Sequence, residues 1–332
     1  MRVPYEEMKA QFVRVLEKYG MPRQDADLSA SLFATASLEG VYTHGLNRFP
    51  KFMKSVDNGS VRIQERASCV ETVGPLERWD GHRGPGNLNA YAAMERAIAL
   101  AKKQVFGIVT LKNTNHWMRP GSYGELAAQN DCIGVLWTNT TPNMPPWGAV
   151  DPHIGNNPMV IAIPHNPVPV LLDVAMSMFS YGKLEKYVME GKKLPVPGGY
   201  DRDGKVTDDP AAILETHQVF PIGYWKGSGM SLALDLIAAV LAGGRTTCEI
   251  GKLPTETELS QCFLAINLAA FPDRAEIERK IDASIEDLKH AVPRTGCPNV
   301  RFPGEGLVAT REENTRLGIP VDEPVWEKVK AM

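Results

Sequence analysis

Residues 87–111, NLNAYAAMERAIALAKKQVFGIVTL, change their periodicity part-way through, and that change decides the fold class. Tyr91, Met94, Ala97, Ile98 and Ala101 recur at the spacing of a helix with one apolar stripe, and Asn87 stands where a capping side chain is expected. From Gly107 to Leu111 the apolar residues run almost unbroken, which over so short a length reads as a buried strand. Working outward, 133–137, 158–163 and 168–172 repeat the strand pattern between Gly, Pro and Asn, while 122–129 repeats the helical one. Helices interleaved with short strands predict an α/β body.

Upstream the pattern is helical. Met8, Phe12, Val15 and Leu16 mark a helix over 5–19 that stops at Gly20, a second is expected over 25–38, and a third over 46–56. Downstream, 185–216 is polar and rich in Pro and Gly and reads as an excursion from the core. Its 201–208 stretch looks like a calcium loop but lacks the closing glutamate, so a turn is expected and no metal. Helix 229–242, strand 262–268, helix 272–291 and one or two short helices in the tail complete the order. The expected division is a mainly helical part, 1–70 with 293–332, and an α/β part, 71–292.

The chain has 332 residues, 43% hydrophobic and 23% charged, with a formal charge of −3, so no basic excess suggests nucleic acid or an anionic membrane. No apolar run is expected to reach the ~18 residues that span a bilayer. The opening MRVPYEEMKAQ has no signal-peptide core. Cys69, Cys132, Cys248, Cys262 and Cys297 are scattered and never form C-x-x-C, which argues against a disulfide framework or zinc site and suits a reducing cytoplasm.

Chemistry concentrates in Val41-Tyr-Thr-His44-Gly-Leu-Asn-Arg48-Phe-Pro50. An imidazole with a guanidinium four residues on would share a face if the turn is helical, giving a proton carrier beside a bidentate anion holder. A small 2-keto acid suits that pair; the plainer reading is a capped helix start with two solvated side chains. Asn113-Thr-Asn-His-Trp-Met-Arg119 follows a strand end, where α/β proteins place their sites, and offers His116 as a second acid or base. Gly84-Pro-Gly86 and Gly227-Ser-Gly229 both start like a dinucleotide fingerprint and fail at the third glycine. Lys226 with Gly223, Gly227 and Gly229 at an apolar helix entry still has phosphate-site chemistry. Asp173 ends a strand, where a carboxylate can accept from a ribose hydroxyl or cap the next turn.

In order, these motifs resemble the malate/L-lactate dehydrogenase family that lacks a Rossmann fold. The resemblance rests on Thr43-His44-Gly-x-x-Arg48, Asn-x-Asn-His at 113–116, Gly-x-Asn-Pro at 155–158, the strand ending in Asp173, Lys-Gly-x-Gly at 226–229 and Pro-Gly-Glu at 303–305. Within that family, runs such as Asn-His-Trp-Met-Arg and Met-Pro-Pro-Trp-Gly are most similar to a branch that reduces diketo sugar acids. The resemblance implies a non-Rossmann mixed-sheet dinucleotide-binding domain over 71–292, a homodimer, and NAD as cofactor, with NADH preferred and NADP possible. It places the proton donor on His44 and cofactor contacts on Val170, Leu171, Leu172, Asp173, Val174, Ala175, Trp225, Lys226, Gly304, Glu305 and Gly306. On this reading Arg48 and His116 join His44 in catalysis, and Thr43, Arg48, Asn115 and Thr140 meet the substrate. Malate, lactate, ureidoglycolate or a cyclic imino acid are the alternative substrates. A serine hydrolase built on Ser177 or Ser228 lacks the Gly-x-Ser-x-Gly elbow, and a non-catalytic dinucleotide binder is the plainest alternative.

Overall fold

The computed structural model describes residues 1–297 and 299–332. Strand β1 (Arg2–Val3) leads into helices α1 (Tyr5–Lys18) and α2 (Arg23–Leu38), each entered through a proline. After α2, two single 3₁₀ turns, Tyr42–His44 and Leu46–Arg48, run into α3 (Phe49–Asp57). Phe49 fixes this segment: its ring stacks on Phe12 at 4.3 Å, and Phe33 meets it edge-on at 5.2 Å. Aromatic pairs of this geometry add to the area they bury, so the turns bearing His44 and Arg48 hang from a rigid support.

The α/β part follows. Strands β2 (Ser68–Val73) and β3 (Leu76–Asp80) form a hairpin, then come α4 (Gly86–Gln104), β4 (Phe106–Thr114), α5 (Gly121–Gln129), β5 (Cys132–Thr138), β6 (Met159–Ile163) and β7 (Val170–Val174). The polar excursion holds α6 (Tyr181–Met189), the small hairpin β8 (Gly199–Tyr200) and β9 (Val206–Thr207), and α7 (Pro210–Thr216). The chain returns through α8 (Trp225–Ala242), α9 (Thr247–Ile250), β10 (Leu259–Asn267) and α10 (Arg274–Lys289). It ends in α11 (Glu305–Leu317), β11 (Ile319–Pro320) and α12 (Glu323–Ala331), with β11 pairing antiparallel to β1.

The seven-stranded sheet has the order β2-β3-β4-β10-β5-β6-β7 and is mixed: β3 and β4 are parallel and the other neighbours antiparallel. Strand β10 lies between β4 and β5, with Phe263 opposite Val109 on one side and Leu136 on the other. Side chains alternate across the pleat, so Val109, Leu136, Phe263 and Ala265 pack with α4 and α5, while Ile108, Trp137 and Cys262 pack with α8. A third apolar cluster joins α1, α2 and α3 to Ile319, Trp326 and Val329 from the C-terminal end. That separate cluster supports, as a proposal, the division into 1–70 with 293–332 and 71–292.

Three expectations change. Asn87 does not cap α4: Pro85 holds that position, and Asn87 is buried as the second residue of the helix, donating to Ser29 Oγ at 2.8 Å. The β2–β3 hairpin was not expected, because all six residues of β2 are exposed and carry no apolar alternation. Helix α8 is long and apolar enough to cross a membrane, where no such run was expected. Its inner face packs on the sheet, and its buried Asp235 accepts from Asn139 and from the Thr247 backbone, as in a core helix.

Candidate active site

His44 and Arg48 sit on successive 3₁₀ turns rather than on one continuous helix, and both line a cleft of about 770 Å³. Thr43 Oγ1 lies 3.1 Å from His44 Nδ1, which leaves Nε2 for chemistry. The His116 ring stacks on His44 at 5.8 Å, tilted by 21°. Its Nδ1 accepts from the Met118 backbone N–H at 3.0 Å, so that nitrogen carries no proton and the neutral ring bears its hydrogen on Nε2. The loop 115–120 that carries His116 is set by α4: a side chain at Gly86 would strike the carbonyl oxygens of Asn115 and His116. The glycine pair that begins like a phosphate fingerprint thus serves a close packing of helix on loop.

The electrostatics follow from depth. Burial, then the Arg48 charge, lowers the His44 pKa to about 4. Burial drives His116 well below the usual histidine range, with Arg48, His44 and Lys51 adding to it. Arg48 itself is lowered by burial, partly opposed by Glu256, and its guanidinium has no hydrogen bond or ion pair among the described residues. Lys51, one turn along α3, is lowered first by Arg48 and then by burial, with Glu256 and Glu185 opposing. A part-buried guanidinium with no partner among the described residues, set beside a neutral imidazole, is what an anion receptor requires.

The far side of the cleft is built by β7 and α11. Asp173 closes one wall, its Oδ2 accepting from Gly121 N–H at 2.9 Å; burial raises its pKa, opposed by Arg119 and that N–H. Arg119 is buried and paired with Glu39, which Arg311 of α11 also holds; Arg311 reaches Glu125 at 2.6 Å. This network fastens α2, α5 and α11 around the end of β7. Gly304 starts α11 in the left-handed conformation, with no side chain capping the first N–H groups, and lies against Pro169 and Leu171. Leu171, Gly304 and Leu307 also border a second cavity of about 400 Å³, so the cleft is elongated and has two compartments. A two-part groove with a carboxylate and an uncapped helix start along it fits a dinucleotide.

Not every expected residue reaches the cleft. Asn115 is buried and fully used: Nδ2 donates to the Arg83 and Gly84 carbonyls, and Oδ1 accepts from Thr257. It shapes the loop instead of meeting a substrate. Thr140 lies behind the wall, where its hydroxyl reaches Asn156 Oδ1 at 3.3 Å, and Asn156 is the residue that lines the cleft. Trp225 and Lys226 start α8 away from His44; Trp225 is 62% exposed, with Lys226 Nζ 5.5 Å from its ring. Glu305 and Gly306 flank Gly304, and Val170, Leu172, Val174 and Ala175 belong to or follow β7. Sequence reading missed Lys51, Arg119, Asn156 and Glu185. Arg119 and Asn156 stood inside quoted motifs without being singled out, Lys51 lay three residues beyond Arg48, and Glu185 left no signal.

A family model described as malate/L-lactate dehydrogenase matches residues 3–330. A 2,3-diketo-L-gulonate reductase of Escherichia coli O17:K52:H18 is 42% identical over 333 aligned positions, covering 100% of both chains. Among solved structures, malate dehydrogenase from Entamoeba histolytica superposes with a TM-score of 0.93 at 26% identity, covering 100% of this chain and 96% of that one. Sulfolactate dehydrogenase from Methanocaldococcus jannaschii does so with a TM-score of 0.89 at 30% identity, over 100% and 96% of the two chains.

Proposed function

The chain belongs to the malate/L-lactate dehydrogenase family and is an NAD(P)-dependent oxidoreductase, and from that premise we propose that it reduces a 2-keto sugar acid, 2,3-diketo-L-gulonate, with His44 as proton donor. The observation that carries this reading is the unpaired Arg48 beside His44 in a cleft that continues past Asp173 and Gly304. The substrate choice is supported by relatives of that name at 42% identity over the whole chain.

A reduced nicotinamide held in the groove beside Asp173 and Gly304 would supply hydride for C2 of the keto acid. Arg48 holds the carboxylate and thereby turns the carbonyl oxygen toward His44. His44, neutral in the empty cleft, gains its proton as the anion covers Arg48, then gives it to the oxygen that the hydride leaves negative. Such proton delivery is worth roughly 10²–10⁴-fold. His116, stacked behind, keeps the imidazole plane in register, and the Thr43 hydroxyl, which can donate or accept, holds Nδ1 in either protonation state. Asp173 disfavours a 2′-phosphate along its wall, which supports NADH over NADPH.

The outer face of α8 leaves Leu232, Leu236, Ile237 and Val240 exposed in one apolar stripe, which supports a homodimer seated there. Leu236→Glu should turn a dimer in sedimentation into a 36.5 kDa monomer; an unchanged sedimentation coefficient would reject this face.

The test is NADH oxidation with 2,3-diketo-L-gulonate beside pyruvate, oxaloacetate and a cyclic imine, in the wild type and His44→Gln. Turnover on the sugar acid that His44→Gln abolishes while NADH still binds is the expected outcome. Turnover only on another acid would move the substrate, and equal loss of turnover and NADH affinity would remove His44 as donor.

A further inference from the structure

Beyond Arg48, the cleft carries side chains that the hydride and proton transfers do not use. Lys51 follows Arg48 by three residues on α3, and Glu185 comes from α6 on the opposite wall. Asn47 lies between the histidine turn and α3. None of these three side chains has a hydrogen bond or ion pair among the described residues, and Lys51 and Glu185 are not bonded to each other although they face one cleft.

The placement of Glu185 is fixed by a close approach. A Cβ at Gly182 would lie 2.8 Å from Thr43 Cγ2, so α6 seats closely on the turn next to His44. Glu185 is one helical turn beyond Gly182 and therefore shares its face. One cleft thus presents an imidazole, a guanidinium, an ammonium from α3 and a carboxylate from α6.

We propose that Lys51 and Glu185 form a polyol subsite that binds the hydroxylated tail of the acid whose carboxylate Arg48 holds. A hydroxyl group donates to a carboxylate and accepts from an ammonium at once, so adjacent hydroxyls satisfy both walls. Lys51 and Glu185 are both exposed at the outer part of the cleft, where a second carboxylate would meet Glu185 and an alkyl tail would strip water from two ions and return nothing. The chemistry left is a neutral, oxygen-rich chain. This subsite rests on the reading of His44 and Arg48 as the reducing centre, and it makes the outer cleft the source of selectivity among 2-keto acids.

The experiment compares Lys51→Met and Glu185→Gln with the wild type on 2,3-diketo-L-gulonate and pyruvate, with NADH affinity followed by fluorescence. Charge-assisted hydrogen bonds lost from each wall should lower the ratio of kcat/KM for the sugar acid over pyruvate by about tenfold to a hundredfold. An unchanged ratio in both variants overturns the subsite, as does a fall in NADH affinity that matches the loss of turnover. Calorimetric binding of L-gulonate and L-lactate to the NADH complex separates this from the reduction itself. L-gulonate bound in preference to L-lactate, with the preference lost in both variants, upholds the subsite even where no acid is reduced. No preference in the wild type overturns it whichever acid is reduced.

Discussion

Filling the acid site at pH 7 should draw about half a proton or more from solution, because His44 cannot donate what it does not hold. Its pKa is lowered to about 4, so at pH 7 only about one empty site in a thousand is protonated. Bringing the pKa to 7 takes three units, about 4 kcal/mol. The charged groups facing His44 are Arg48 on its own segment, Lys51 on α3, Glu185 on α6 and Asp173 on β7, with neutral His116 behind. A carboxylate about 4 Å from the imidazolium, at an effective dielectric of about 20, contributes about 4 kcal/mol. One substrate anion is therefore enough to load the donor, and the same anion screens Arg48. The assay is titration of the NADH complex with oxamate, which has pyruvate's carboxylate and carbonyl geometry but is not reduced, in two buffers of different ionisation enthalpy. Roughly 0.5–1 proton should be taken up per site, and His44→Gln should remove the uptake. Tight oxamate binding with less than about 0.1 proton, or equal uptake in His44→Gln, would refute the reasoning.

Three further outcomes follow from the geometry. Gly86→Ala should lower stability by about 1–3 kcal/mol in urea, since the clash is with two backbone carbonyls, and should cut turnover more sharply by moving the loop that carries His116; normal activity at reduced stability would unlink that helix from the site. Glu39→Gln should cost about 3–5 kcal/mol, because Arg119 and Arg311 lose the buried carboxylate they share; a loss below 1 kcal/mol in urea unfolding would show the network to be dispensable. His44 is held neutral below its unfolded pKa of 6.5, so the unfolded chain binds the proton more readily. Its contribution to stability is present above about pH 6.5 and is lost as pH falls toward 4; pH-dependent unfolding of His44→Gln should show a shallower decline, and parallel curves would contradict this.

Much of the architecture was legible because the helices and central strands bury one face and so print their period on the chain. Helix α1 and strand β5 lie within a residue or so of where Met8, Phe12, Val15 and Leu16, and Ile133 to Trp137, place them. Edge strand β2, with no buried face, left no such print. In the cleft, His44, Arg48 and Asp173 stood out through their residue types at element ends. Asn115 stood out for the same reason, and the structure spends it on Arg83, Gly84 and Thr257. Sequence reveals that a polar group is needed but not which way it points. Glu185 lies about 140 residues from His44 in a segment of unremarkable polarity, and only the seat of α6 against Thr43 brings the two to one cleft.

The place of β10 has a consequence for how the molecule assembles. Its neighbours β4 and β5 do not pair with each other, and each must wait for a strand that begins at Leu259. Until then the sheet is two fragments with open inner edges, β2-β3-β4 and β5-β6-β7, the second bearing the strand that ends in Asp173. Pairing over such separations is slow, and exposed edges recruit strands from other chains. On a ribosome, the loop that holds His116 and the wall that holds Asp173 therefore stay unregistered through most of synthesis, and both are locked by the same late insertion. A peptide copying Leu259–Asn267 supplied during refolding should compete for that gap and trap the two halves apart.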